Sequence, residues 1–318
     1  MKGLTVNLPS LKNARRLLFS VPLHPMQGTR FQPTGFPDLG AATYQAGETD
    51  CLLVESAQSM ANRLEATIWD EQAKDVVPAL KGLSYVRVEK DKNEFLTSSI
   101  IEAHRINSPY IIEGKGKAFL STLQGELEVL ASGPIDRTAL ARVLFKYDAN
   151  ALLHGVFLAK KELAGGRLRL SRSLSAFIEA SGVGVATSGG VKNDHVNPSG
   201  DASKGFGNVP FHREEFTARS IKAFVSLDLD QLRGYGLNEQ ATELLMVLAM
   251  YKIRRLFDGG LRLRTACDLA IEDGYAFKAD APADFVLPTV AELEKQLPSL
   301  IAACKEQLAG VTVVNFKN

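Results

Sequence analysis

Twice in this chain a glycine pair leads into strict alternation of leucine and arginine: Gly165-Gly166-Arg167-Leu168-Arg169-Leu170 and Gly259-Gly260-Leu261-Arg262-Leu263-Arg264. A period of two predicts a strand with one buried face, because successive side chains point to opposite sides. Leu168 and Leu170 then share the core face and Arg167 and Arg169 the other. Leu261 and Leu263 stand against Arg262 and Arg264 in the same way. A sheet that buries leucine and displays a row of guanidinium groups is a seat for a phosphate backbone. The plainer reading of either strand alone is an ordinary solvated face.

The 318 residues, 45% of them hydrophobic, are enough to bury a large core, either one elaborated domain or two small ones. Lys+Arg 37 against Asp+Glu 36 rules out a global polycation. The charge is unevenly placed, however. Between Asp136 and Arg172 stand eight basic residues (137, 142, 146, 160, 161, 167, 169, 172) against three acids, and between Asp268 and Glu294 seven acids face Lys278 alone. A basic binding surface with an acidic flank follows from that asymmetry. Cys51, Cys267 and Cys304 are widely spaced and form no CxxC, which argues against a disulfide framework or zinc site and for a reducing compartment. No apolar run approaches the roughly 18 residues of a membrane span, and residues 1–16 lack the apolar stretch of a leader. The expectation is a cytoplasmic protein with no membrane contact.

Along the chain, the patterns predict a first strand over Arg16–Pro22 and a short apolar strand at Cys51–Val54. A helix follows from Ser56, with Ala57, Met60, Ala61, Leu64 and Ile68 on one stripe. Ser98–Ile106 reads as a short helix stopped before Pro109, and Leu168–Ala180 and Ile221–Leu229 read as strand. Ser181–Pro210, with seven glycines, reads as a long functional loop without secondary structure of its own. Glu239–Phe257 is the strongest helix, capped by Asn238 and ended near Gly259. Thr289–Leu308 looks helical, with Pro298 forcing a kink or break. The order suits an α+β sandwich with helices on one face of an antiparallel sheet, the RRM-like or ferredoxin-like plan. It is a single palm domain over 1–318, with a candidate thumb or arm at 181–210 and a helical segment at 289–318.

Neither Gly114-Lys115-Gly116-Lys117 nor Gly200–Gly205 has P-loop spacing, and the sequence has no HExxH, GxSxG or CxxC. The five histidines have no metal-ligand spacing, and His154, beside Leu152, Leu153 and Val156, reads as a core residue. No catalytic residue, metal or cofactor is expected. The glycine- and proline-rich loop His24–Gly40 lets backbone approach a ligand and offers Gln27 and Arg30 to a phosphate; it reads equally well as a tight surface crossing. Asp38 is its one carboxylate suited to Mg²⁺, a weak signal alone. Lys192, His195, Lys204, Phe206 and Phe211 give a basic arm with stackable rings, suited to single-stranded nucleic acid, unless the phenylalanines pin the loop to the core.

Several blocks resemble one family: Pro33–Ala42, Val54–Glu65, Glu102–Tyr110, Gly205–Phe211 and Gly260–Leu269. The resemblance is to the CRISPR-associated RAMP-superfamily backbone subunit of the type I-U, or I-G, Cascade complex, over about Leu17–Leu269. It implies an RRM-like palm repeated head to tail along a CRISPR RNA, with an extended thumb that folds over the guide. The implied partners are that RNA, target DNA through guide pairing, the other Cascade subunits and further copies of the chain. It also implies a guide-gripping set in the first-strand loop and first helix, at Gln27, Arg30, Ser56, Gln58 and Arg63, and Arg105 of the third block is counted with them. A protein that holds any guide should grip phosphates and 2′-hydroxyls and leave base edges free. One rival is a metal-dependent ribonuclease acting through Asp38, by analogy with backbone subunits of type III complexes; a second is guide-RNA maturation, which wants a positioned base, and His24 stands without an evident partner.

Overall fold

The computed structural model describes residues 8–36, 38–90 and 93–316. Residues 1–7 of the stretch inspected for a leader, Pro37 of the first family-like block, and residues 317–318 of the C-terminal segment lie outside them. Mixed α+β architecture is built around a seven-stranded antiparallel sheet. Its order is Leu261–Arg264, Cys267–Ile271, Arg16–Pro25, Ser220–Asp228, Leu174–Ser181, Thr49–Glu55 and Thr43–Ala46.

Alternation in the central strands assigns the two faces. Leu17, Phe19, Val21 and Leu23 are buried on one strand, and Ile221, Ala223, Val225 and Leu227 on its neighbour. Beneath them run the helices Ala57–Ala66 and Glu239–Asp258. Ser56 caps the first, accepting from the Ser59 N–H at 3.2 Å, and Asn238 caps the second, accepting from the Ala241 N–H at 2.9 Å. The longer helix is buried almost all round, as expected for one enclosed between layers. On the opposite face the register forms rows: Arg16 beside Asp228, then Leu18–Ser226–Ser175, then Ser20–Phe224–Phe177.

The segment between the helix Ala57–Ala66 and the strand Leu174–Ser181 carries the helix Arg137–Tyr147 and a small ribbon, Val156–Leu158 with Leu168–Leu170. The two leucine–arginine echoes therefore belong to different sheets. In both, leucine is buried, as the alternation demands. Gly155 makes the turn into the small ribbon at φ +79°; a Cβ there would stand 2.9 Å from the Leu170 carbonyl oxygen.

Three local expectations change. Ser98–Ile106 forms turns and one 3-10 turn, Arg105–Asn107, rather than a helix, and Arg105 sits at φ +50°, outside helical space. Ser181–Pro210 is not a structureless loop: Gly184–Lys192 pairs with Val209–Thr217 in a nine-rung antiparallel ribbon. Its tip folds around Asp194, whose carboxylate accepts from the N–H groups of Val196, Asn197 and Gly207 at 2.8–3.0 Å. Those donors, Asn197 first, hold its pKa below the ordinary aspartate value. Finally, the C-terminal helix, Val290–Ala303, starts with a Thr289–Glu292 capping box and runs through Pro298 unbroken. The β-branched run after Gly310 then makes a strand, Val311–Asn315, parallel to Tyr85–Glu89.

Candidate nucleic-acid interface

A cleft of about 1780 Å³ lies between the start of the strand Arg16–Pro25 and the segment carrying the small ribbon. Seven basic side chains line it, Arg15, Arg16, Arg105, Arg137, Lys160, Arg169 and Arg172, against Asp228 and Asp230. Four of them carry a carboxylate partner. Arg15 bonds Asp230 at 2.9 Å, Arg16 bonds Asp228 at 2.7 Å, Lys160 pairs with Glu113, and Arg105 with Glu65. Arg172 donates only to neutral acceptors, the Ala57 carbonyl at 3.1 Å, the Gln58 side chain at 2.6 Å and the His154 carbonyl at 3.4 Å. Burial and the nearby Arg105 charge lower its pKa. Arg137 and Arg169 are exposed and without hydrogen bond or ion pair among the described residues. Three positive charges are thus uncompensated in one groove, an arrangement that attracts a polyanion.

Behind the cleft wall lies a buried polar chain. Arg105 donates to both oxygens of Glu65, at 2.6 and 2.8 Å, and Asn150 donates to Glu65 at 2.9 Å. The Lys252 ammonium donates to the Asn150 oxygen and lies 3.0 Å from His154 Nε2. All five side chains are buried. Burial pushes Lys252 down to about 7 and His154 well below the ordinary imidazole value. Asp148, equally buried, is pushed up to about 7.

Of the residues expected to grip a guide, Arg105 and Arg169 are the two that line the cleft, and Arg105 is committed to Glu65 there. Gln58 reaches it indirectly, by holding Arg172. Arg167 is turned away, donating to the Leu130 and Gly133 carbonyls at 2.8 and 2.9 Å. Ser56 is the helix cap described above.

Gln27 and Arg30 are exposed on the first-strand loop, which is fastened to the base of the long ribbon by reciprocal Phe31–Phe216 backbone bonds at 2.9 and 2.8 Å. Arg30 stands 3.6 Å from the buried Glu215 carboxylate. Lys192, His195, Lys204, Phe206 and Phe211 all lie exposed on the ribbon and its tip, with Phe206 and Phe211 about half accessible, so neither ring is a core pin. Asp38 is exposed in the turn between Gly35–Phe36 and Gly40–Ala41. Among the described residues no group of three or more His, Cys, Asp or Glu is placed to hold a metal ion, and no helix is long and apolar enough to cross a membrane.

Arg63 and Arg264 form an internal brace. Arg264 pairs with the buried Glu55 and donates to the Gln32 carbonyl at 2.8 Å, while Arg63 donates to the Leu263 carbonyl at 2.7 Å. Arg262, next on the strand, is exposed. We expect Arg264→Ala to lower stability by about 2 kcal/mol, because the buried Glu55 carboxylate loses its nearest ion-pair partner and keeps only Arg63, at 3.6 Å. A urea titration that leaves the midpoint unmoved would show the brace to be dispensable.

Sequence reasoning missed Arg15, Arg16 and the convergence on one groove. Its one signal was the basic run after Asp136: four of those eight residues, Arg137, Lys160, Arg169 and Arg172, line the cleft.

A family model described as CRISPR-associated protein GSU0053 matches residues 17–185. The search of curated proteins gives no match. Among solved structures, a chain of a CRISPR RNA-guided surveillance complex in a pre-nicking state is 13% identical, covering 75% of this chain and 67% of its own at a TM-score of 0.36. Csc2 from Thermofilum pendens is 11% identical, covering 95% of this chain and 80% of its own at a TM-score of 0.31.

Proposed function

The chain belongs to the CRISPR-associated GSU0053 family, and from that membership we propose that it is a non-catalytic backbone subunit of a type I Cascade complex, several copies of which assemble along one CRISPR RNA. The observation that carries this reading is the arginine-rich cleft, where Arg137, Arg169 and Arg172 stand uncompensated. A groove of that kind suits phosphate contacts that are blind to guide sequence. Near-zero net charge is compatible with it, since only one face of each copy meets RNA.

In this reading the strands Cys267–Ile271, Arg16–Pro25, Ser220–Asp228 and Leu174–Ser181, with the helices Ala57–Ala66 and Glu239–Asp258 beneath them, are an RRM-like palm. That neighbour order supports it. The ribbon Gly184–Thr217 takes the part of the thumb, presenting Lys192, His195, Lys204, Phe206 and Phe211 to the guide or to the next copy. Gln27, Arg30 and Arg262 contribute exposed donors near its base and on the sheet edge. The remaining partners would be target DNA, through guide pairing, and the other Cascade subunits, in the cytoplasm.

Purification from cells that also express a CRISPR array tests this directly. We expect a large particle carrying RNA of uniform, repeat-bounded length. An RNA-free monomer obtained despite an available array would overturn the reading.

A further inference from the structure

The open sheet face holds a second feature, beside the cleft. Phe177 and Phe224 are direct cross-strand neighbours whose rings stack at 5.3 Å between centroids and 28° between planes. Both are half-buried, although they point away from the helices. In the next row, Leu18–Ser226–Ser175, the two residues on the strands of the phenylalanines are short, so the sheet dips there into a pocket of about 240 Å³. The aromatic pair walls it on one side; Leu18, Ser20 and the exposed Asp280 also line it. That volume equals about eight waters at roughly 30 Å³ each, room for one flat heterocycle.

We infer that this pocket receives one unpaired base of an RNA strand whose phosphates lie in the arginine cleft, with the Phe177–Phe224 pair as its stacking platform. Three observations converge. First, pocket and cleft share a sheet face: Arg16 and Asp228 line the cleft, and the phenylalanine row lies two rows farther along the same strands, about 13 Å at roughly 3.3 Å per residue. Second, no cation lines the pocket and a carboxylate does, so a phosphate is disfavoured there while an uncharged ring is not. Third, an aromatic face accepts any base, as sequence-independent binding of a guide requires. Serine hydroxyls on the dip can donate to or accept from whichever base edge is presented.

This inference rests on reading the cleft as an RNA groove, and the test separates the two. Anisotropy titrations of the full chain would compare a labelled single-stranded 12-mer RNA with an abasic strand of the same length and charge. Wild type should bind the base-bearing strand about tenfold tighter. Phe177→Leu combined with Phe224→Leu keeps apolar bulk on the sheet but removes the stacking faces. It should abolish that preference and leave abasic binding unchanged, while Phe224→Tyr retains the preference. Equal binding of the two strands by wild type would sink the platform and leave the cleft standing, as would a leucine pair that keeps the preference or weakens both strands alike. Failure of both strands to bind would remove the cleft reading and the platform with it.

Discussion

Glu65→Ala is expected to lower the free energy of unfolding by about 3–5 kcal/mol, a large part of the roughly 5–15 kcal/mol that holds a typical domain together. Glu65 accepts three hydrogen bonds, two from Arg105 and one from Asn150, and is 5% exposed. Removing it leaves the buried Arg105 guanidinium without its hydrogen-bonded counter-charge, at a residue already held at φ +50°. The loss also travels. Asn150 is the link to Lys252, whose ammonium Glu65 helps to keep protonated against burial. The substitution therefore loosens the segment carrying the small ribbon from the helices Ala57–Ala66 and Glu239–Asp258. A urea titration followed by circular dichroism checks the magnitude. Because the penalty is that of an orphaned charge, Glu65→Leu with Arg105→Met should recover more than half of it. A double variant as unstable as the sum of the singles would show that the pair was not the unit.

What the sequence made legible was local. The strands beginning at Arg16 and Ile221, and the cap at Asn238, are decided within a few residues, and the structure follows them. Leu168, Leu170, Leu261 and Leu263 are buried as their spacing requires. The arginines between them were harder, because a long side chain finds partners far away in sequence. Arg264 reaches Glu55 and Arg167 reaches the carbonyls near Leu130, and no alternation pattern could foretell either. The ribbon Gly184–Thr217 escaped for a different reason. Gly189, Gly190 and neighbouring polar residues carry little strand propensity, and the pairing is made by backbone groups with almost nothing buried. The cleft combined both difficulties. Its basic run was visible as composition, but Arg15 and Arg16 join it only through the pairing of the first strand with Ser220–Asp228.

Arg137→Ala together with Arg169→Ala should weaken binding of single-stranded RNA more than a hundredfold near 0.1 M salt, and by a similar factor for unrelated sequences. Each guanidinium is free in the cleft, and a hydrogen bond to a charged group contributes about 1.5–3 kcal/mol; two at the lower bound already exceed a factor of 100. The salt dependence gives an independent reading. Two fewer phosphate contacts on a single strand should reduce the slope of log K against log salt by about 1.4. Stability should hardly move, since neither side chain has a partner to lose. That contrast distinguishes these positions from Arg105 and Arg264, where substitution removes the nearest ion-pair partner of a buried carboxylate and the fold suffers before any RNA contact can be judged. If the double variant kept the wild-type slope, the phosphates would lie elsewhere, and the exposed cations of the ribbon, Lys192 and Lys204, would be the next to replace. A loss confined to one RNA sequence would instead mean that the cleft reads bases, which a subunit serving every guide cannot do.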